Sequence, residues 1–262
     1  MLRRENPGFL TMLHRFLAAT GRRILDYLAQ PIAGYEPFLA TDPAVLQRCL
    51  QPGDVLLIEG NTRLSVIIKY LTQSTWSHAA LYVGGDELGR NEAGEPLALI
   101  EASARAGVVA SPLRDYAQFN TRICRPVHLG EADRRQVIDH AIRSLGKQYD
   151  VKQLVDLLRY LWPYPPVPVS VRRRMLALAS GDPTRAICST MIAEAFQSIG
   201  YPILPPPGGE PVAMAPYMAR EIRHIEKHGL FTPRDFDISP YFAVVKPLLE
   251  DGFDYRRLSA VA

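Results

Sequence analysis

The stretch AICSTMIAEAF, residues 186–196, puts Cys188 immediately ahead of a run whose apolar residues recur at helical spacing. A thiol at a helix start stands where chemistry can be done. The first turn of a helix leaves backbone N–H groups unpaired and carries partial positive charge, which favours thiolate over thiol. The same N–H groups, that of Cys188 included, can bind the oxyanion of a tetrahedral intermediate once the sulfur attacks a carbonyl. The competing reading is a small buried apolar residue, and position alone does not separate the two.

A cysteine hydrolase also needs a base, and the chain has six histidines. His78 lies in TWSHAALYVGG, at the start of an otherwise apolar strand, where an imidazole is unwanted unless it faces a cleft or finds a partner. Its structural alternative is a ring satisfied by a local hydrogen bond. A third group should accept a hydrogen bond and fix the imidazole tautomer. Glu101 is the candidate: it closes the apolar run LALIE ahead of Ala102 and Ser103, and a carboxylate there can sit beside His78 on a neighbouring strand. The alternative for Glu101 is an ordinary strand-end acid in solvent. His128, His140 and the cysteines match no metal-ligand spacing, so neither a metal nor another cofactor is expected.

These residues need elements to position them. After a connection marked by Pro31, Pro37 and Pro43 comes a short helical piece ending near Leu50, then QPGDVLLIEG, a turn feeding a strand over residues 54–59. RLSVIIKYLTQ reads as a helix, and SHAALYVGG, PLALIEAS, GVVASPL and TRICRPVHL read as successive strands. EADRRQVIDHAIRSLG is a helix with an acidic first turn and a glycine stop. QLVDLLRYLW continues as helix, the prolines of PYPPVPVS impose a loop or lid, and the Cys188 helix follows. A helical PYMAREIRHIEKHG and a last strand in PYFAVVKP complete the chain. Strands and helices arrive in blocks rather than in strict alternation, which predicts an α+β fold with a mainly antiparallel sheet packed against helices. The expected organisation is an N-terminal helical extension over 1–45 and one domain over 46–262. Within the helix of 186–196, Ser189 is expected to pair with backbone in the first turn, and Asp54 to be a turn residue.

At 262 residues and 47% hydrophobic content the chain can bury a sizeable core. Thirty basic against 27 acidic residues, a formal net charge of +3, argues against nucleic acid as a partner. Cys49, Cys124 and Cys188 are odd in number and widely spaced, which suits neither a disulfide framework nor a zinc knuckle and fits a reducing compartment. No spanning helix is expected, because no run of eighteen apolar residues occurs. In the first thirty residues His14 and Arg15 interrupt what would be a signal peptide, so a cytoplasmic location is expected. Leu10, Leu13, Phe16, Leu17, Ile24, Leu25 and Leu28 form an apolar stripe near the helical period. Such a stripe packs on its own domain, or else makes peripheral contact with a membrane surface.

The order PGDVLL, WSHAALYVG, LIEAS, LGKQYD and ICSTMIAEAF resembles the permuted branch of the NlpC-type papain-like cysteine hydrolases, the YiiX/YebB-like group. In that branch the histidine strand precedes the cysteine helix, as His78 precedes Cys188 here. The resemblance spans about residues 50 to 200, with TPRDFDISPYFAVVKP similar to the end of these proteins. It implies a circularly permuted papain-like core, a Cys188–His78–Glu101 triad, and a cysteine peptidase or amidase acting on a small peptide, an amide, or a lipid-derived acyl substrate. It also sets Tyr149 near the cleft, with its hydroxyl facing substrate or oxyanion, whereas Asp150 reads better as a helix cap. Acyl transfer to a second acceptor and non-catalytic ligand binding on the same fold are the alternatives. Relative to compact members, the N-terminal segment and the proline-rich insertion near 163–170 are additions.

Overall fold

The run Val55–Ile58 is apolar without alternation because both of its faces are covered: as strand β1 it is buried at every residue. The computed structural model describes residues 23, 26–37, 41–103, 106–148, 188–205, 222, 225, 231–247 and 252. Around β1 it places β2 (His78–Tyr82), β3 (Leu97–Ser103), β4 (Gly107–Pro112), β5 (Thr121–Pro126) and β6 (Phe242–Val245). The sheet order is β4-β3-β2-β1-β5-β6, and every pairing is antiparallel. The expected α+β architecture with an antiparallel sheet is the one observed.

Five α-helices are described: α1 (Pro43–Cys49), α2 (Arg63–Thr72), α3 (Glu131–Ile142), α4 (Cys188–Gln197) and α5 (Pro233–Asp237). A 3-10 turn, Leu113–Tyr116, follows β4. Local chemistry explains several starts. Asp42 accepts from Ala44 N at 2.8 Å ahead of α1, and Thr62 accepts from Ser65 N at 3.2 Å ahead of α2. Ahead of α5, Asp235 accepts from Thr232 N at 2.8 Å. Gly60, between β1 and α2, has no room for a side chain, since a Cβ there would stand 2.9 Å from Ser77 Oγ. That hydroxyl accepts from Gly60 N, and Ser77 N donates to Ile58 O at 3.1 Å, so the entry to β2 is fastened to the exit from β1.

Strand alternation divides the core in two. Val55, Leu57, Ala79, Leu81, Ile100, Ala102 and Cys124 face the helices α3 and α4. Leu56, Ile58, Ala80, Tyr82, Leu99 and Ile123 face α1 and the 3-10 turn. Helix α4 buries Met191, Ile192, Ala195 and Phe196 and exposes Glu194 and Gln197, the split that its apolar spacing dictates. Phe196 is fully buried between the rings of Tyr201 and Phe242, whose centroids lie 5.5 and 5.2 Å away.

Asp54, expected as a turn residue, is one, and it also anchors the fold. Its buried carboxylate accepts from Gln51 N at 2.8 Å and from Arg125 Nε and Nη2 at 3.0 and 2.9 Å. Arg125 Nη2 donates as well to Cys49 O, the last residue of α1. One ion pair thus joins α1, the turn before β1, and β5. Among the described residues no helix is long and apolar enough to cross a membrane. The N-terminal stripe up to Ile24 and Leu25, the helix read in QLVDLLRYLW and the proline-rich insertion lie outside the described residues.

Candidate active site

Ala80 of β2 pairs with Glu101 of β3, so His78, two residues before Ala80, lies diagonal to Glu101 on the same face of the sheet. Imidazole and carboxylate meet there: His78 Nε2 and Glu101 Oε2 are hydrogen-bonded. Two hydroxyls complete the carboxylate's shell. Tyr116 OH donates to Oε2 and Ser111 Oγ donates to Oε1. Ser111 reaches it because β4 pairs Ser111 with Leu99, two residues from Glu101 along β3. Tyr116 reaches it from the end of the 3-10 turn.

Glu101 is only 8% exposed. Burial alone would raise its carboxyl, but the charge of His78 and the hydrogen bonds from His78, Ser111 and Tyr116 outweigh burial and hold it at about 2. A carboxyl whose folded value is depressed contributes stability in full above the ordinary carboxylate range of about 4.3 and loses it as pH falls toward the folded value. Glu101 therefore stays ionised throughout the neutral and mildly acidic range. The side chain of His78 is 23% exposed, so solvent or substrate reaches it. With the carboxylate as acceptor, the neutral imidazole carries its hydrogen on Nε2, which makes Nδ1 the basic nitrogen.

Cys188 is the first residue of α4; its side chain lies outside the described part of the structure. The helix packs on β2 and β3, the strands that carry His78 and Glu101, but on the opposite face, through Ala79, Leu81, Ile100 and Ala102. Its direction decides where the two faces can meet. At its start, Ser189 Oγ donates to Phe231 O at 2.8 Å, and the following Arg234 donates to Thr72 O at 3.3 Å, at the end of α2 just ahead of β2. At its far end Phe196 packs on Phe242, which pairs with Pro126 at the other end of the sheet. Helix α4 thus begins at the sheet end where β2 begins, and His78 is the first residue of that strand.

The Ser189 bond corrects an expectation. Its hydroxyl is bound not within the first helical turn but to a carbonyl 42 residues away, because Ser189 is buried against the segment entering α5. The other thiols are poor nucleophiles by position: Cys49 and Cys124 are buried, and burial pushes the Cys124 thiol up to about 12. Tyr149 and Asp150 fall outside the described residues. Sequence reasoning missed Ser111 and Tyr116. The available signal was a serine among apolar residues of GVVASPL and a tyrosine just past the strand end, but only the strand register shows that both reach Glu101.

The sheet is antiparallel and carries a histidine–carboxylate pair on adjacent strands, with a cysteine-led helix packed against those strands later in the chain. Residues 49–160 match the family model described as permuted papain-like amidase enzyme, YaeF/YiiX, C92 family. The matched segment holds β1 to β5, with His78, Glu101, Ser111 and Tyr116, and ends before Cys188. The crystal structure of the yiiX protein of Escherichia coli O157:H7 is similar with a TM-score of 0.46 and 17% identity, covering 76% of this chain and 97% of that one. Among the described residues no group of three or more His, Cys, Asp or Glu could hold a metal ion. Curated relatives include the Holliday junction branch migration complex subunit RuvB of Staphylococcus aureus strains JH9 and Newman, 29% identical over 122 residues. That alignment takes in 45% of this chain and only 36% of the length of those relatives, and it carries no activity over to this chain.

Proposed function

We propose that this cysteine hydrolase cleaves an amide, peptide or lipid-linked, or an ester, with Cys188 as nucleophile, His78 as general base and acid, and Glu101 as the group that orients His78. The observation that carries the reading is the hydrogen-bonded His78–Glu101 pair on the two strands against which the Cys188 helix packs. His78 Nδ1 takes the thiol proton, the thiolate adds to the carbonyl carbon, and backbone N–H groups at the start of α4 stabilise the oxyanion. The tetrahedral intermediate collapses with cleavage of the C–N or C–O bond as the imidazolium protonates the leaving group. Water, deprotonated by His78, then hydrolyses the thioester and regenerates the thiol. The ionised Glu101 favours the imidazolium through both halves of the cycle.

Screening the purified protein against peptide, lipid-amide and ester libraries, with Cys188→Ala as control, tests the reading; substrates turned over equally by both proteins would refute it. Glu101→Gln supplies a second test. The amide keeps the shape but cannot offset imidazolium charge, so turnover is expected to fall by about 10²-fold while KM changes little, the size of a general-base contribution lost in part. Steady-state kinetics on any substrate from the screen measures both. Unchanged turnover would reduce Glu101 to a structural acid.

A further inference from the structure

We infer that Tyr116 and Ser111 are positioning residues for this reaction: their hydroxyls fix the Glu101 carboxylate so that one of its oxygens faces His78 Nε2, and they set the thiolate reactivity of Cys188 through that pair. The inference rests on the proposed triad and extends it by two residues. Its basis is how the donors divide. Oε2 is shared by His78 Nε2 and Tyr116 OH, whereas Oε1 is taken by Ser111 Oγ. A carboxylate with donors on both oxygens cannot rotate without breaking one bond, and at 8% exposure water is poorly placed to replace a lost donor.

Tyr116 is itself held. Its ring centroid lies 6.0 Å from that of His78 and 6.1 Å from that of Phe119, the latter edge-on, and Phe119 lies 6.2 Å from Tyr35. Tyr35 in turn donates its hydroxyl to Glu59 O at 3.1 Å, at the end of β1. The row of rings holds the Tyr116 hydroxyl against the carboxylate as packing alone would not require. Ser111, buried on β4, is fixed by strand pairing. Neither residue touches the reacting atoms in this arrangement; both act through Glu101.

Because the substrate is unidentified, the probe is iodoacetamide. The alkylation rate of Cys188 is read against pH by peptide mass spectrometry, which separates it from the buried Cys49 and Cys124. Tyr116→Phe keeps the ring and removes one donor. We expect it to slow Cys188 alkylation below neutral pH by about tenfold and to move the acid limb of the profile upward, with an unchanged melting temperature. Ser111→Ala should do the same and Ser111→Thr should restore the parent profile. The decisive measurement is a cycle with Glu101→Gln, in whose background Tyr116→Phe should have no further effect. An additive cycle, an unshifted profile, or a loss that only tracks the melting temperature overturns the inference. If Glu101→Gln and His78→Ala also leave the profile untouched, the triad reading fails as well; if those two shift it and Tyr116→Phe does not, only the positioning role fails.

Discussion

Cys188→Ala should lower hydrolysis by at least about a thousandfold while leaving the melting temperature and the circular dichroism spectrum as in the parent. The size follows from the role. Without the sulfur no thioester forms, and His78 and the helix N–H groups can only act on a water that nothing has positioned. The unchanged stability follows from the place, since alanine is the best helix former and Cys188 is the first residue of α4. A Cys49→Ala variant is the matched control: that thiol is buried at the last residue of α1, so its loss should cost stability and spare turnover. Full activity in Cys188→Ala would end the assignment of the nucleophile. A parent protein that binds peptides or acyl amides without turning any over would favour the binding-module alternative instead.

How much of this was legible depends on sequence distance. His78 could be found because an imidazole opening an apolar strand is costly without a partner, and Glu101 because the next strand ends in a carboxylate beside small residues. Both signals are local. The two hydroxyls on Glu101 are not: Ser111 is brought in by the β3–β4 register, which shifts between Leu97 and Leu99, and no pattern in GVVASPL announces such a shift. Ser189 shows the same limit, with a partner 42 residues away. Helix α5 was missed because five residues are too few to show a period, although Thr232 followed three residues later by Asp235 carried a capping signal. Face assignment was the other gap. The β2–β3 register puts His78 and Glu101 on one face, but which face the Cys188 helix covers depends on how the sheet packs with a helix that begins 87 residues after Glu101.

The strand that all of this hangs on is β1, and the second large effect concerns the ion pair that holds its entrance. Arg125→Met should destabilise the protein by about 3–5 kcal/mol at neutral pH, read from urea unfolding, because it strips the guanidinium from a buried Asp54 carboxylate that still accepts from Gln51 N. Burial already pushes Asp54 up despite the guanidinium that opposes it, and removing that guanidinium pushes it further. An acid raised above its unfolded value costs stability as pH rises through that interval and regains it as pH falls, so the deficit of the variant should shrink on acidification. Adding Asp54→Leu should recover much of the loss by removing the unpaired charge. The ion pair lies at the end of the sheet away from His78, so Cys188 alkylation in the variant, measured where it is folded, should match the parent. A deficit that is constant with pH would mean that Asp54 is not the group left exposed to the loss, and altered alkylation would mean that the entrance to β1 and the candidate site are coupled along the sheet.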